Sequence, residues 1–238
     1  MRTSEMIQNK TELQNNELSF SDVVRMRKST RGFTSTPAPL QTITSVLEDA
    51  QMAPSNCNTQ PWNTHIVSGD KLKHLSTVIL KDLESSNFSP DFSFDTDHYY
   101  GIYSDRQKAQ GKGYFESMGV ARADKEGRQQ AVGLNYKFFN APHAAFLFMP
   151  SFGDDVRVAS DIGMYAQTFL LSLTDHGLAG VPQTALGFFA DTIRKELNIS
   201  DEFKMLFGIS FGYPDLDVKG SSFKMGRDPI SSNVTFHQ

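Results

Sequence analysis

The 238-residue sequence contains a single cysteine, Cys57, so no disulfide can form within the chain. No stretch is apolar for long enough to cross a bilayer, and residues 1–16 are polar rather than carrying the apolar core of a secretory signal peptide. We therefore expect a cytoplasmic protein without a membrane partner. Acidic residues outnumber basic ones by 27 to 23, which argues against a general nucleic-acid binder because such proteins normally carry a basic excess.

Several catalytic motifs are also missing or incomplete. The six histidines are scattered without a His-x-x-x-His pair, so we predict no metal site. No Gly-x-Gly-x-x-Gly follows a strand, which leaves a Rossmann nucleotide site without support. Residues 208–212 fit the Gly-x-Ser-x-Gly of hydrolases, but Tyr213-Pro214 stands where the following helix would have to begin. Ser210 is therefore interpreted as a strand residue, and we predict no side-chain nucleophile, Cys57 included.

Periodicity predicts one domain in which helices and strands alternate. Helical spacing of apolar residues predicts helices over 40–50, 72–83 and 158–176, with shorter ones over 23–28, 128–139 and 191–197. Apolar runs predict strands over 63–67, 144–150, 178–182 and 205–213. Residues 1–20 are interpreted as a tail or as an arm lying on a partner subunit, and 21–238 as the domain. Within it, about 85–128 is an aromatic, aperiodic stretch typical of a lid-like insertion, and 214–238 is a polar C-terminal extension.

Two polar clusters flank the helix predicted over 40–50. The first, Arg25 to Phe33, is basic, and the second, Ala53 to Trp62, is rich in amides and hydroxyls. A basic run is usually a solvated face, but here a serine stands among the cations and a second short basic cluster follows at Lys224 to Arg227. The first cluster suits a phosphate and the second a polyol chain, so we interpret the pair as two parts of a flavin mononucleotide (FMN) site.

Taken together, these elements resemble the nitroreductase family of flavoproteins. The motifs that carry the resemblance stand in the family's order across nearly the whole chain after residue 20; they are Arg27-Lys-Ser-Thr-Arg31, Ala53-Pro-Ser-Asn-Cys-Asn-Thr-Gln-Pro-Trp62, Asn135 with Phe139-Asn-Ala-Pro142, Gly180-Val-Pro-Gln-Thr184, Gly208 to Asp215 and Gly226-Arg227-Asp-Pro229. The region 106–128 is most similar to the nitrobenzoate-reductase-like branch. The resemblance implies an α+β fold with three layers, α/β/α, in which helices flank a central, mostly antiparallel sheet. It also implies an intertwined homodimer that holds two FMN molecules at its subunit interface.

The family motifs further imply which residues bind the cofactor. Those at the phosphate and ribityl end would be Arg27, Lys28 and Ser29, joined by Lys224 and Arg227, and those reaching FMN from the partner subunit would be Pro54, Ser55, Asn56 and Asn58. Those along the ring would be Arg31, Asn135, Pro182, Gln183 and Thr184, with the Thr184 N–H near flavin N5. Two positions depart from the family, because Thr184-Ala185 replaces a frequent Glu-Gly pair and Phe138 replaces a frequent lysine.

The activity that the resemblance implies is NAD(P)H-dependent reduction of nitroaromatic or quinone acceptors by a two-electron, ping-pong mechanism. Four aromatic residues of the insertion are candidates to cap a small aromatic substrate, although packing of the insertion would explain them as well; they are Tyr99, Tyr100, Tyr103 and Phe115. Two alternatives stay open: another reaction on the same flavin fold, such as reductive dehalogenation or flavin fragmentation, and a non-catalytic flavin-binding redox protein.

Overall fold

The computed structural model describes residues 18–238, and the tail or arm predicted at the N-terminus lies almost wholly outside them. In this part of the chain, a four-stranded sheet forms the centre of the fold. Its strands are β1 (Asn63–Ser68), β2 (His143–Pro150), β3 (Ala179–Gln183) and β4 (Phe203–Gly212). They lie in the order β1-β2-β4-β3, and every neighbouring pair is antiparallel.

The sheet is covered on both faces, and strand β2 shows why. Its residues are nearly all apolar and buried, as expected for a central strand with no solvent-facing side. Because side chains alternate along a strand, Ala145, Leu147 and Met149 join one core cluster, whereas Ala144, Phe146 and Phe148 join the other. This arrangement confirms the predicted three-layer α/β/α class.

Helices supply the two outer layers. In order they are α1 (Phe20–Met26), α2 (Leu40–Gln51), α3 (Gly69–Glu84), α4 (Gly101–Ser117), α5 (Lys125–Gly133), α6 (Val156–Asp175) and α7 (Ala190–Leu197). Helices α2 and α6 pack on one face of the sheet, and α3 and α7 on the other. Short 3₁₀ turns occur at Asn56–Asn58, Thr96–His98, Phe138–Asn140, Thr184–Phe189 and Ile230–Ser232. No helix within residues 18–238 is both long and apolar enough to cross a membrane.

Several predicted boundaries were wrong, each for a local reason. Helix α1 spans Phe20–Met26 and not the predicted 23–28, because Ser19 is its N-cap, with the Ser19 hydroxyl accepting from the N–H of Asp22. Helix α3 starts at Gly69, three residues before the predicted start at 72, because strand β1 runs directly into it through Gly69, which has a φ of 61°. Helix α7 starts at Ala190 without a side-chain cap, because Asp191 instead pairs with Arg194 at 2.6 Å.

The insertion differs most from its prediction. It contains α4, a helix of 17 residues, and α5, where we expected no regular structure before residue 128. Helix α4 escapes detection because Tyr114 is its only buried residue, so no apolar stripe marks one face. The helix predicted to continue to residue 139 ends at Gly133, and Phe138, Phe139 and Asn140 all adopt left-handed φ values, which no helix could continue through.

Candidate cofactor-binding site

A cleft of about 740 Å³ brings together basic residues from the two ends of the described chain. Six of the residues predicted to bind the cofactor line it: Arg27, Lys28, Ser29, Arg31, Lys224 and Arg227. Residues 27–31 follow α1 and lie beside the edge strand β3, where Ser29 forms a parallel bridge with Gly180 and the Thr30 N–H donates to the Gly180 carbonyl at 3.3 Å. The sheet therefore fixes one wall of the cleft.

The C-terminal extension supplies the opposite wall by folding back over residues 31–33. The Asp215 N–H donates to the Gly32 carbonyl at 3.0 Å. A Cβ on Gly32 would stand 2.6 Å from Cβ of Val218, so only glycine permits this approach. Farther on, the Phe223 ring packs on Tyr114 of α4, and Arg106 Nε donates to Asp228 at 2.9 Å. These contacts seat Lys224 and Arg227 in the cleft.

The cleft carries positive charge that no acidic side chain of residues 18–238 neutralises. None of the six basic residues that line it forms an ion pair with Asp or Glu of the described chain; they are Arg25, Arg27, Lys28, Arg31, Lys224 and Arg227. The pKa of Arg27 is lowered mainly by burial and also by the positive charge of nearby Arg227. The pKa of Lys28 is likewise lowered mainly by burial and also by the charge of Lys224. Like charges held together without a counter-ion are unfavourable on their own, so the arrangement is typical of an anion-binding site.

Arg31 lies deeper than the other cations. Its guanidinium carbon stands 4.6 Å from the centroid of the Tyr114 ring, and Nη1 donates to the Ser29 carbonyl at 3.4 Å. Burial lowers the pKa of Arg31, and Tyr114 partly offsets that effect. The contact with the Tyr114 ring and the hydrogen bond to Ser29 hold the guanidinium, which thus offers a permanent positive charge at a defined place in the cleft.

The residues predicted to run along the flavin ring lie near the far end of β3. Pro182 and Thr184 are exposed, whereas the Gln183 side chain is buried. Gln183 is three residues beyond Gly180, so it lies about 10 Å farther along the edge of the sheet than the Ser29 bridge. Its amide donates to the Asn135 carbonyl at 2.9 Å, which places Asn135 beside this strand. The Gln183 side chain is thus engaged inside the protein, and the predicted contact of Gln183 with the cofactor would have to come from its backbone.

The loop predicted to reach a partner's cofactor does not line the cleft of its own chain. It contains Pro54, Ser55, Asn56 and Asn58, which are exposed or half-buried. Three of its residues that are not glycine have left-handed φ values, namely Cys57 at 51°, Asn58 at 54° and Gln60 at 47°. The buried carboxylate of Asp161 on α6 holds the loop, since both of its oxygens lie 3.1 Å from the Asn56 N–H. A strained loop held by a buried carboxylate indicates a functional segment.

The four aromatic residues proposed to cap a substrate do not form one cluster within the chain. Tyr100 and Tyr103 stack edge to face near the start of α4, with centroids 5.7 Å apart. Phe115 lies 12 residues beyond Tyr103 on the same helix, hence about 18 Å along its axis, and it packs under Arg128 instead. The helix thus separates Phe115 from Tyr100 and Tyr103 within the chain, and a contact of the four residues with a substrate stays a prediction.

Other residues that the sequence did not single out do adjoin the predicted site. Gln110, Gln167 and Phe223 line the cationic cleft. Thr184 borders a smaller cavity of about 300 Å³, whose aromatic lining comes from Phe92, Phe94, Phe188 and Phe207. No periodic signal marks Gln110, Phe223 and Gln167, because they come from the insertion, the extension and the exposed side of α6. In the described ranges, no group of three or more His, Cys, Asp or Glu side chains could hold a metal ion.

Comparisons with known proteins match nearly the whole chain. The model of the nitroreductase family matches residues 24–213. Nitroreductase NfnB of Mycolicibacterium smegmatis is 34% identical over 214 residues, which cover 90% of this chain and 91% of that protein. A crystal structure of the FMN-dependent nitroreductase NfnB from Mycobacterium smegmatis, in complex with NADPH, has a TM-score of 0.88 and covers 91% of this chain and 96% of its own. The 4-nitrobenzoate reductase of Nocardioides sp. is 31% identical over 222 residues, which cover 92% of this chain and 90% of that protein.

Proposed function

This chain belongs to the nitroreductase family, and we propose from that premise that it is an FMN-dependent oxidoreductase that takes electrons from NADPH and reduces nitroaromatic compounds of the nitrobenzoate class. The observation that carries the proposal is the cleft where cations from residues 27–31 and 224–227 meet without an acidic partner in the described chain. The relatives that support the reaction are named as FMN- and NADPH-dependent nitroreductases and as 4-nitrobenzoate reductases.

The donor set of the cleft fits the phosphate of FMN. A phosphate monoester carries close to two negative charges at neutral pH and three acceptor oxygens. Arg27, Lys28 and Ser29 would hold it from the sheet side, and Lys224 and Arg227 from the extension. Each charge-assisted hydrogen bond of this kind contributes about 1.5–3 kcal/mol, and the phosphate would relieve the repulsion among the cations.

The residues beyond the cleft suit the ring. When bound, FMN supplies the hydride-accepting and hydride-donating chemistry of the reaction. Arg31 contributes a guanidinium that stays charged at any working pH, so it favours a ligand state in which negative charge has accumulated nearby. Asn135 and the exposed backbone of Pro182 to Thr184 would contact the ring along β3. NADPH, as the electron donor, and the nitroaromatic compound, as the electron acceptor, would then occupy this one site in turn.

We further propose a homodimer with two FMN molecules at its interface. The loop that contains Pro54, Ser55, Asn56 and Asn58 does not line the cleft of its own chain, which supports a role for it at the cofactor of another subunit. Large apolar side chains are also exposed on the described surface, among them Phe20 at 77%, Leu40 at 78% and Met52 at 82%. Burying them against a second copy would remove an unfavourable contact with water.

The first test is to purify the protein and identify any bound pigment by heat release and mass spectrometry. We expect a yellow dimer that contains FMN and oxidises NADPH when 4-nitrobenzoate or menadione is added. A colourless protein that ignores added FMN would refute the proposal. Turnover of iodotyrosine in place of the nitro compound would favour a dehalogenase, and bound FMN that NADPH does not reduce would favour a non-catalytic redox protein.

The second test asks whether FMN affinity depends on the cations of the cleft in particular or on the protein's total charge. The Arg27 side chain makes no hydrogen bond or ion pair with residues 18–238, and only its backbone N–H donates, to the Val23 carbonyl, so Arg27→Gln removes a cation without breaking a side-chain contact there. We expect FMN to bind about 10–150 times more weakly, the equivalent of one lost charge-assisted hydrogen bond. The matched control is Arg122→Gln, at an exposed arginine outside the cleft. Equal FMN affinities for the two variants would refute the assignment of Arg27.

A further inference from the structure

The buried amide of Gln183 links two segments of the proposed ring site. Gln183 is 3% exposed, and Ser210, its neighbour on β4, is fully buried. The Ser210 hydroxyl donates to Oε1 of Gln183. At its other end, Nε2 of Gln183 donates to the Asn135 carbonyl at 2.9 Å and lies 3.3 Å from the Asn135 side-chain oxygen. Every polar atom of this side chain is therefore occupied inside the protein.

The backbone fixes the orientation of both amides in this chain of hydrogen bonds. A backbone carbonyl can only accept, so the –NH₂ end of Gln183 must face Asn135, and Oε1 must face Ser210. In the same way, the Val132 carbonyl accepts from Nδ2 of Asn135 at 3.1 Å. The side-chain oxygen of Asn135 is therefore turned toward Gln183. A flip of the Gln183 amide would leave buried polar groups unpaired, and a flip of the Asn135 amide would turn its –NH₂ group toward that of Gln183, where two donors would face each other.

Asn135 depends on this contact because its own segment is irregular. It follows the end of α5, and the next residues form a turn in which Phe138, Phe139 and Asn140 are all left-handed. Gln183, by contrast, ends strand β3, which pairs with β4 through Gln183↔Gly208. The Gln183 amide thus attaches an irregular segment to the central sheet, next to Thr184.

We propose that Gln183 is a positioning residue for the cofactor ring. By holding both the carbonyl and the side-chain oxygen of Asn135, it determines which end of the Asn135 amide is presented to the ring, and it keeps Asn135 at a fixed separation from Thr184. The inference rests on the proposed FMN function, but it assigns Gln183 a different role from the direct ligand that the sequence motif implied.

A double-mutant cycle tests the proposal. Gln183→Met keeps the length of the side chain but removes its hydrogen bonds, and it is combined with Asn135→Ala. We measure FMN affinity by fluorescence titration, together with the midpoint potential and visible spectrum of the bound flavin. Because Gln183 acts through Asn135, we expect each single variant to weaken binding about tenfold, the loss of one buried hydrogen bond. The double variant should then bind scarcely more weakly than either.

The control is Ser76→Ala, whose hydroxyl donates to the Tyr136 carbonyl at 2.8 Å, one residue from Asn135. It removes a hydrogen bond to the same segment without touching the Asn135 amide, so it should lower the melting temperature and leave the spectrum and potential unchanged. Additive losses in the cycle, or an unchanged spectrum and potential in Gln183→Met, would overturn the proposal. If Gln183→Met does not fold, Ser210→Ala replaces it and must shift the spectrum in the same direction. Absence of FMN from the wild-type protein would instead contradict the proposed function itself.

Discussion

A pair of glycines on α4 provides a sharp test of how the C-terminal extension is seated. A Cβ added to Gly113 would lie 2.8 and 2.9 Å from two carbons of the Phe223 ring, which is closer than such atoms can approach. A Cβ added to Gly111, on the same helix, would meet nothing within 4 Å. The two Gly→Ala variants therefore share their effect on the helix and differ only in the contact with Phe223.

The magnitudes follow from that difference. Alanine stabilises a helix interior by about 0.5–1 kcal/mol relative to glycine, which raises the melting temperature of a protein of this size by about 1–4 °C. We expect Gly111→Ala to show this gain. Gly113→Ala carries the same gain but also an overpacking cost of about 1–3 kcal/mol, so its melting temperature should stay level or fall. Because Phe223 precedes Lys224, its displacement should also weaken FMN binding by about tenfold or more.

The assays are thermal unfolding of the FMN-free protein and a fluorescence titration with FMN. Gly113→Ala combined with Phe223→Leu should recover part of the affinity, because the smaller side chain leaves room for the new methyl group. If Gly113→Ala were as stable as Gly111→Ala and bound FMN as tightly as the wild type, the extension would not be packed on α4, and the cleft would lose one of its walls.

Three further predictions concern single side chains. Arg31→Ala should lower the reduction potential of the bound flavin and slow its reduction by NADPH in stopped-flow measurements, because a fixed cation is removed; a wild-type potential would exclude Arg31 from the ring site. Asp161→Ala leaves the Asn56 N–H without its acceptor, so unfolding should cost about 1–3 kcal/mol less, and hydrogen exchange should rise in residues 55–60; unchanged exchange there would show that Asp161 does not hold the loop. His143 is buried, its Nε2 accepts from the Ala38 N–H at 2.9 Å, and burial lowers its pKa. Its neutral form therefore stabilises the fold at pH values above about 6.5, the ordinary histidine pKa, and this contribution is lost as the pH falls below that value. His143→Gln should show a smaller loss of stability between pH 7 and 5 than the wild type, and parallel stability curves would contradict this role.

The sequence predicts the elements whose apolar residues recur with the period of a helix or form the continuous run of a buried strand. Strands β2 and β4 are continuous apolar runs, and α2 and α6 have an apolar face at helical spacing. Both ends of each element therefore lie within about two residues of the predicted ends. Helix α4 has no such face and contains Gly111 and Gly113, which lower its helix propensity. Its pattern was therefore indistinguishable from an irregular insertion.

The same limit applies to the site. Both basic segments of the cleft could be recognised from their composition, but their meeting could not, since they are nearly 200 residues apart and one lies on an extension without periodicity. Gln183 shows the same limit from the other side. Its place in a family motif predicts that it lies along the ring, but its partners Asn135 and Ser210 come from distant segments, and only the folded chain shows that they occupy both ends of its amide.

The two ends of the proposed site should differ in stability, because they are built differently. The ring end lies on β3 and β4, where Gln183 and Ser210 are buried within a paired sheet. At the phosphate end, Lys224 and Arg227 are exposed and lie on an irregular segment held mainly by Phe223 and the ion pair of Arg106 with Asp228. Segments with few buried contacts open most easily, so part of the phosphate-binding energy must order the extension. Changes in the extension should therefore alter FMN affinity and its dependence on salt without altering the flavin potential, whereas changes at Gln183 should alter both.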